Sequence, residues 1–125
     1  MTVVVDTSLV IDALRGNVGA LGLIRAWREQ DVLRASEITK LEVLAGMRPR
    51  EERVTLNLLG VITWHPIDDE IAEVAGELGR RWLPGNRSID AADLAIAATA
   101  LTLDAEIMTL NLKHFPMFVG LKRPY

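Results

Sequence analysis

Five oxygen-bearing side chains in this 125-residue sequence could do chemistry together: Asp6, Glu42, Asp90, Asp93 and Asn111. Each follows or interrupts an apolar stretch, where a carboxylate or amide is costly without a partner. Asp6 closes the run Val3-Val4-Val5, and Asn111 comes just after Glu106-Ile107-Met108-Thr109. Glu42 lies at the edge of the helical stripe Ile38, Leu41, Ala45, and Asp90 and Asp93 open the most apolar helix of the chain. Carboxylates gathered a few ångströms apart repel one another and are tolerated when a divalent cation neutralises them. With no cysteine and only His65 and His114 as histidines, disulfides and thiolate-bound zinc are excluded. A metal would be held by oxygen, which favours magnesium, manganese or calcium. Magnesium held by one or two carboxylates keeps waters that can attack a phosphodiester. Structural roles compete at each position: Asp6 as a turn or cap residue, Glu42 as a glutamate snorkelling from the rim of its stripe, Asp90 and Asp93 as a capping pair that needs no metal.

The elements that must position these groups follow from periodicity. Three successive β-branched residues at 3–5 predict a short strand buried on both faces, as in the middle of a parallel sheet. Thr7-Ser8 are expected to cap a following helix, a short one over residues 8–15 closed by Gly16-Asn17. A second helix covers 21–29 and a second strand 32–35, after which Ser36 caps a helix reaching about Met47, ahead of Pro49. Further along come a helix over 50–59, a strand over 61–64, a helix from Asp68 or Asp69 to about Leu83, and a loop over 84–87. The helix opening near Asp90 is hydrophobic almost all round and must be central. Residues 106–109 form a fourth strand and 119–121 a last, edge strand. Strands alternating with helices predict one α/β domain over residues 1–125, with a central parallel β-sheet flanked by α-helices. Right-handed crossovers put the strand C-termini on one edge, so Asp6 and Asn111 converge there.

The net charge of −3 gives no overall attraction for nucleic acid. Such binding must rest on local cations among Arg48, Arg50, Arg53, Arg80, Arg81, Arg87 and Lys113, of which Arg87 and Lys113 lie nearest the predicted acidic mouth. Asp12 and Arg15, three apart, read as a solvated helix pair. A mean hydropathy of +0.20 is high for a small soluble monomer and points to a face covered by a partner. No signal-peptide pattern and no apolar run approaching the ~20 residues of a membrane span is visible, so a cytoplasmic protein with no membrane partner is expected.

Four segments, VVVDTSLVI (Val3 to Ile11), TKLEVLAG (Thr39 to Gly46), IDAADLAIAAT (Ile89 to Thr99) and MTLNLKHF (Met108 to Phe115), resemble in order the motifs of PIN-domain ribonucleases, especially the VapC toxins of bacterial toxin–antitoxin pairs. The resemblance covers essentially the whole chain. It implies a PIN-like fold with an acidic pocket for magnesium or manganese. Asp6, Glu42 and Asp93 fall at the family's core acids, Asp90 at a frequent accompanying acid, and Asn111 where many members have aspartate. Thr7 or Ser8 would orient Asp6 or a metal-bound water. The activity implied is a metal-dependent endoribonuclease whose activated water attacks an RNA phosphate. The partners implied are a second copy of the chain and an inhibitory VapB-type antitoxin, for which the apolar stripes between Leu21 and Leu59 would serve as a groove. A phosphoryl-receiver domain would need an acidic pair after the first strand and a phosphoacceptor aspartate after the third, where His65-Pro66 stands. A haloacid-dehalogenase-type phosphatase would need a carboxylate where Ser8 stands. The serious rival is a catalytically inactive PIN-like module that binds RNA or protein, and metal-dependent cleavage separates the two.

Overall fold

In the computed structural model, which describes Met1–Tyr125, Val3–Val5 forms β1 inside a four-stranded parallel sheet. Its neighbours are β2 (Leu33–Ser36) and β4 (Glu106–Met108), and β3 (Thr63–His65) lies beyond β2, giving the order β3-β2-β1-β4. Val3 pairs with both Leu33 and Glu106, and Val5 with Met108. Because successive strand side chains point to opposite faces, β1 feeds two cores. Val3 and Val5 join Leu9, Ile24, Leu33 and Leu59 on one face, while Val4 joins Ile96, Ala97, Ile107 and Phe115 on the other. All three valines are inaccessible to solvent, which is why an uninterrupted apolar run was needed here.

The first core is covered by α1 (Thr7–Leu14), α2 (Val18–Glu29) and α4 (Glu52–Leu59). The second is covered by α6 (Ala91–Thr102), against which α5 (Asp69–Trp82) packs. Between them, α3 (Glu37–Ala45) gives Val43 to the first core and Ile38 to the second. Every residue of α6 from Asp93 to Ala100 is buried, as its unbroken hydrophobicity requires. The chain steps outward from β1 through β2 to β3, then crosses back to place β4 on the far side of β1. The carboxyl ends of β1 and β4 therefore flank the point where the winding reverses, the usual ligand position in open α/β sheets.

Several local expectations are corrected. Residues 119–121 form no strand: Val119 is fully exposed and Gly120 turns the chain at φ +74, so the sheet stops at β4. Gly16 and Asn17 do not act as one helix stop. Gly16, at φ +87, leaves α1, while Asn17 caps the next helix by accepting from the Ala20 N–H at 3.0 Å, so α2 starts at Val18 rather than at 21. Thr7 and Ser8 do not cap α1 either, because Asp6 takes that position. A short 3-10 turn, Pro49–Glu51, precedes α4, and another, Leu112–His114, follows β4. No single helix is long and apolar enough to cross a membrane.

Candidate functional site

All five predicted residues line one cleft of about 420 Å³ at the carboxyl edge of the sheet. Asp6 comes from the β1–α1 junction, Glu42 from α3, Asp90 and Asp93 from the start of α6, and Asn111 from the turn after β4. Thr7, Ser8, Asp12, Arg15 and His114 complete its polar lining.

Asp6 is buried and serves two purposes at once. It caps α1, accepting from the Thr7 N–H at 2.8 Å on Oδ1. Its Oδ2 accepts from the Ser8 hydroxyl at 2.7 Å and from the fully buried Thr109 hydroxyl at 2.6 Å. These hydroxyls also hold the loop beyond β4: Leu110 N–H donates to Ser8 Oγ at 3.1 Å, and Asn111 N–H to Thr109 Oγ1 at 2.9 Å. The β1–β4 ladder is extended by the Asp6 N–H, which donates to Met108 O at 2.9 Å. Glu42 accepts the Thr7 hydroxyl proton on Oε1 at 2.7 Å. Thr39, fully buried one turn earlier on α3, has its hydroxyl 3.0 Å from that of Thr7. A hydroxyl has one proton and a carboxylate only accepts, so the chain of donation runs Thr39 to Thr7 to Glu42.

Asp90 and Asp93 form a reciprocal capping box on α6. Asp93 N–H donates to Asp90 Oδ1 at 2.8 Å, and Asp90 N–H donates to Asp93 Oδ2 at 3.1 Å. Asp93 is only 7% exposed while Asp90 is exposed. Burial is the main reason that the Asp93 carboxyl rises from 3.8 to about 6. The Asp90 N–H opposes the rise, the Asp90 charge adds to it, and His114 opposes it, with Nδ1 at 3.2 Å from Asp93 Oδ2.

The donor chemistry fits a hard divalent cation: the cleft gathers carboxylates and an amide carbonyl, and one of its buried carboxylates carries a charge that its surroundings compensate poorly. As positioned, no three acidic or histidine side chains converge on a single point. Asp6 is engaged on both carboxylate oxygens, whereas Glu42 and Asp93 each accept through one, Oε1 and Oδ2, which leaves their second oxygens open to a ligand.

The expected Asp12–Arg15 ion pair does not form. Asp12 instead accepts from the Tyr125 hydroxyl at 2.5 Å, and Arg15, unpaired, becomes the only arginine or lysine lining the cleft. Arg87 and Lys113, expected nearest the mouth, are exposed but do not line it. Sequence reasoning also missed His114, Thr39 and Thr109. The only readable signal for His114 was its chemistry, one of two imidazoles in the chain, because a 3-10 turn has no alternation from which to read its direction. The hydroxyl partners had none, because they lie 32 and 103 residues from the groups they bind.

Residues 3–116 match the PIN domain family. The chain is 37% identical over 122 residues to ribonuclease VapC19 of Mycobacterium tuberculosis, an alignment covering 97% of this chain and 98% of the relative. A chain of the toxin–antitoxin complex from Klebsiella pneumoniae superposes with a TM-score of 0.79 at 27% identity, covering 99% of this chain and 98% of that one. A chain of the DNA-bound VapBC from Salmonella typhimurium superposes with a TM-score of 0.83 at 17% identity, covering 98% and 96%, a likeness of fold alone.

Proposed function

This chain belongs to the PIN domain family, among its VapC ribonucleases, and from that membership we propose that it is the nuclease toxin of a toxin–antitoxin pair, an endoribonuclease that hydrolyses RNA phosphodiesters with a divalent cation in the acidic cleft. The observation that carries this reading is the meeting of Asp6, Glu42, Asp90, Asp93 and Asn111, from four separate stretches of sequence, around one cleft at the carboxyl edge of the sheet. Magnesium or manganese would be held by Asp6, Glu42 and Asp93, with Asp90 and Asn111 beside them, and supplies charge neutralisation at the phosphate and a water of lowered pKa.

The protein's own part is positioning. Three donors fix the Asp6 carboxylate before any ligand arrives, so little reorganisation is left for the reaction itself. The Thr39–Thr7 pair orients Glu42 in the same way. With its carboxyl near 6, Asp93 is mostly ionised at neutral pH and free to serve as an oxygen ligand, while His114 steadies it. Exposed Leu21 on α2, Leu41 and Leu44 on α3 and Leu56 on α4 are apolar side chains available to a VapB-type antitoxin, while Ile24 and Trp27 of the expected α2 stripe pack into the core. We further propose that the toxin works as a homodimer in the cytoplasm.

The test uses the purified full chain and total cellular RNA. Cleavage should require added manganese or magnesium, stop on chelation, and return with the metal. Asp6→Asn should lower the rate at least about 100-fold, the scale of losing a preorganised charge at a reacting centre. RNA that is bound but left intact at every metal concentration would establish the inactive binding module instead.

A further inference from the structure

A second groove, of about 640 Å³, lies between α1, α3 and α4 and shares Ile11, Arg15 and Glu42 with the acidic cleft. Its sides carry Arg15, Arg48 and Arg50, all exposed. None has a carboxylate partner, since the protein's only ion pairs are Arg34–Asp31 and His114–Asp93. The two acids in this groove are engaged elsewhere: Glu51 accepts from the Arg48 backbone N–H at 2.9 Å, and Glu42 from the Thr7 hydroxyl. The same groove is also lined by the apolar Ile11, Met47 and Val54, the last 61% exposed.

In a chain of net charge −3, three unpaired guanidiniums beside a cleft with five carboxylates are a local reversal of sign. Guanidinium forks match phosphate oxygens in geometry and charge. The apolar residues that share the groove with them suit exposed base faces, which a duplex would hide and a single strand presents. RNA is also continuous, so a strand with one phosphate in the acidic cleft must leave it, and Arg15 stands where the two cavities meet. We propose that this groove is the track for the flanking nucleotides of a single-stranded RNA substrate, with Arg15, Arg48 and Arg50 each engaging a phosphate. This rests on the nuclease reading above and adds where the strand runs.

The test is the salt dependence of binding, measured by fluorescence anisotropy with a labelled oligouridylate of about twelve nucleotides and the full chain in chelator, so that nothing is cut. Each phosphate contact on a single strand contributes about −0.7 to the slope of log affinity against log salt. Arg15→Gln, Arg48→Gln and Arg50→Gln should each flatten the slope by about 0.7, and the triple variant by about 2. The triple lysine variant should keep the slope, and Arg25→Gln, a residue of α2 outside both cavities, should leave it unchanged. An unchanged slope in the triple glutamine variant, with wild type still cutting RNA in manganese, overturns the track and leaves the nuclease reading standing. The same unchanged slope together with lost antitoxin binding gives the groove to the protein partner, which also overturns it. A wild type that cuts no RNA in manganese removes the nuclease reading, and the track with it.

Discussion

Replacing Asp93 by Asn should make the metal-free protein more stable near neutral pH. Burial lifts the Asp93 carboxyl from 3.8 to about 6, so between those values the folded chain holds a proton that the unfolded chain has lost. Stability therefore falls as pH rises from about 4 to about 6, and the deficit persists above that range. At about 1.4 kcal/mol per pH unit the deficit is about 3 kcal/mol near neutral pH, an upper figure for a side chain that also touches His114. Asp93→Asn removes the charge and keeps an oxygen for the Asp90 N–H, so the capping box survives. With the His114 contact weakened, a net gain of about 1–3 kcal/mol remains, roughly 4–12 °C in melting temperature. Urea or thermal unfolding of both proteins in chelator, from about pH 4 to pH 8, measures this directly, and the two stabilities should converge at the acidic end. Added manganese should stabilise wild type and leave the variant nearly unmoved. A variant less stable than wild type at neutral pH, or a difference that ignores pH, would refute the assignment of Asp93 as a poorly compensated buried charge.

Thr109→Val keeps the shape of a fully buried side chain, removes a donor to Asp6 Oδ2, and leaves the Asn111 N–H without its acceptor. It should cost about 2–3 kcal/mol in urea unfolding, with Thr109→Ser restoring most of it. Tyr125 is the only tyrosine, so an alkaline absorbance titration reads it alone. Its phenol is pushed up to about 12, chiefly by burial and then by the hydrogen bond to Asp12 and the charge of that carboxylate. Asp12→Asn should return the midpoint toward 10, and the stability Tyr125 contributes should be present below pH 10 and lost as pH rises toward 12.

The parts of the site legible in the sequence were those where a local pattern and a chemical cost coincide. Three β-branched residues closed by Asp6 define a buried strand and the polar group at its end, and the alternation of elements puts that end on the same edge as Asn111. What local pattern cannot decide is whether one side chain serves two purposes. Asp6 is a cap and a cleft residue together, as are Asp90 and Asp93, where composition framed these roles as alternatives. A loss of stability on mutating Asp6 therefore says little about metal, and Asp93, whose charge is the poorly compensated one, is the discriminating position. Arg15 was misread for a different reason. Its spacing from Asp12 satisfies a helix pair, but it caps the C-terminus of α1, and the approach of α3 makes that point a junction between two cavities. Val119-Gly120-Leu121 has strand-like composition, yet at Gly120 a backbone with positive φ turns the chain.

The pairing of β1 with β4 also sets when, during its own synthesis, the chain can complete the acidic cleft. The ribosome makes Val3–Val5 first, but one side of that strand has no neighbour until Glu106–Met108 has been made. Asp6 likewise waits for Thr109, 103 residues downstream, and Asp93 for His114. A nascent chain halted before that stretch carries Asp6, Glu42, Asp90 and Asp93 without Thr109, His114 and the strand β4. The chain as far as His114 must leave the exit tunnel before the cleft can close, because parallel pairing over such a separation cannot form piecemeal. A chain interrupted before Glu106 therefore has no β4 to complete the sheet beside Asp6.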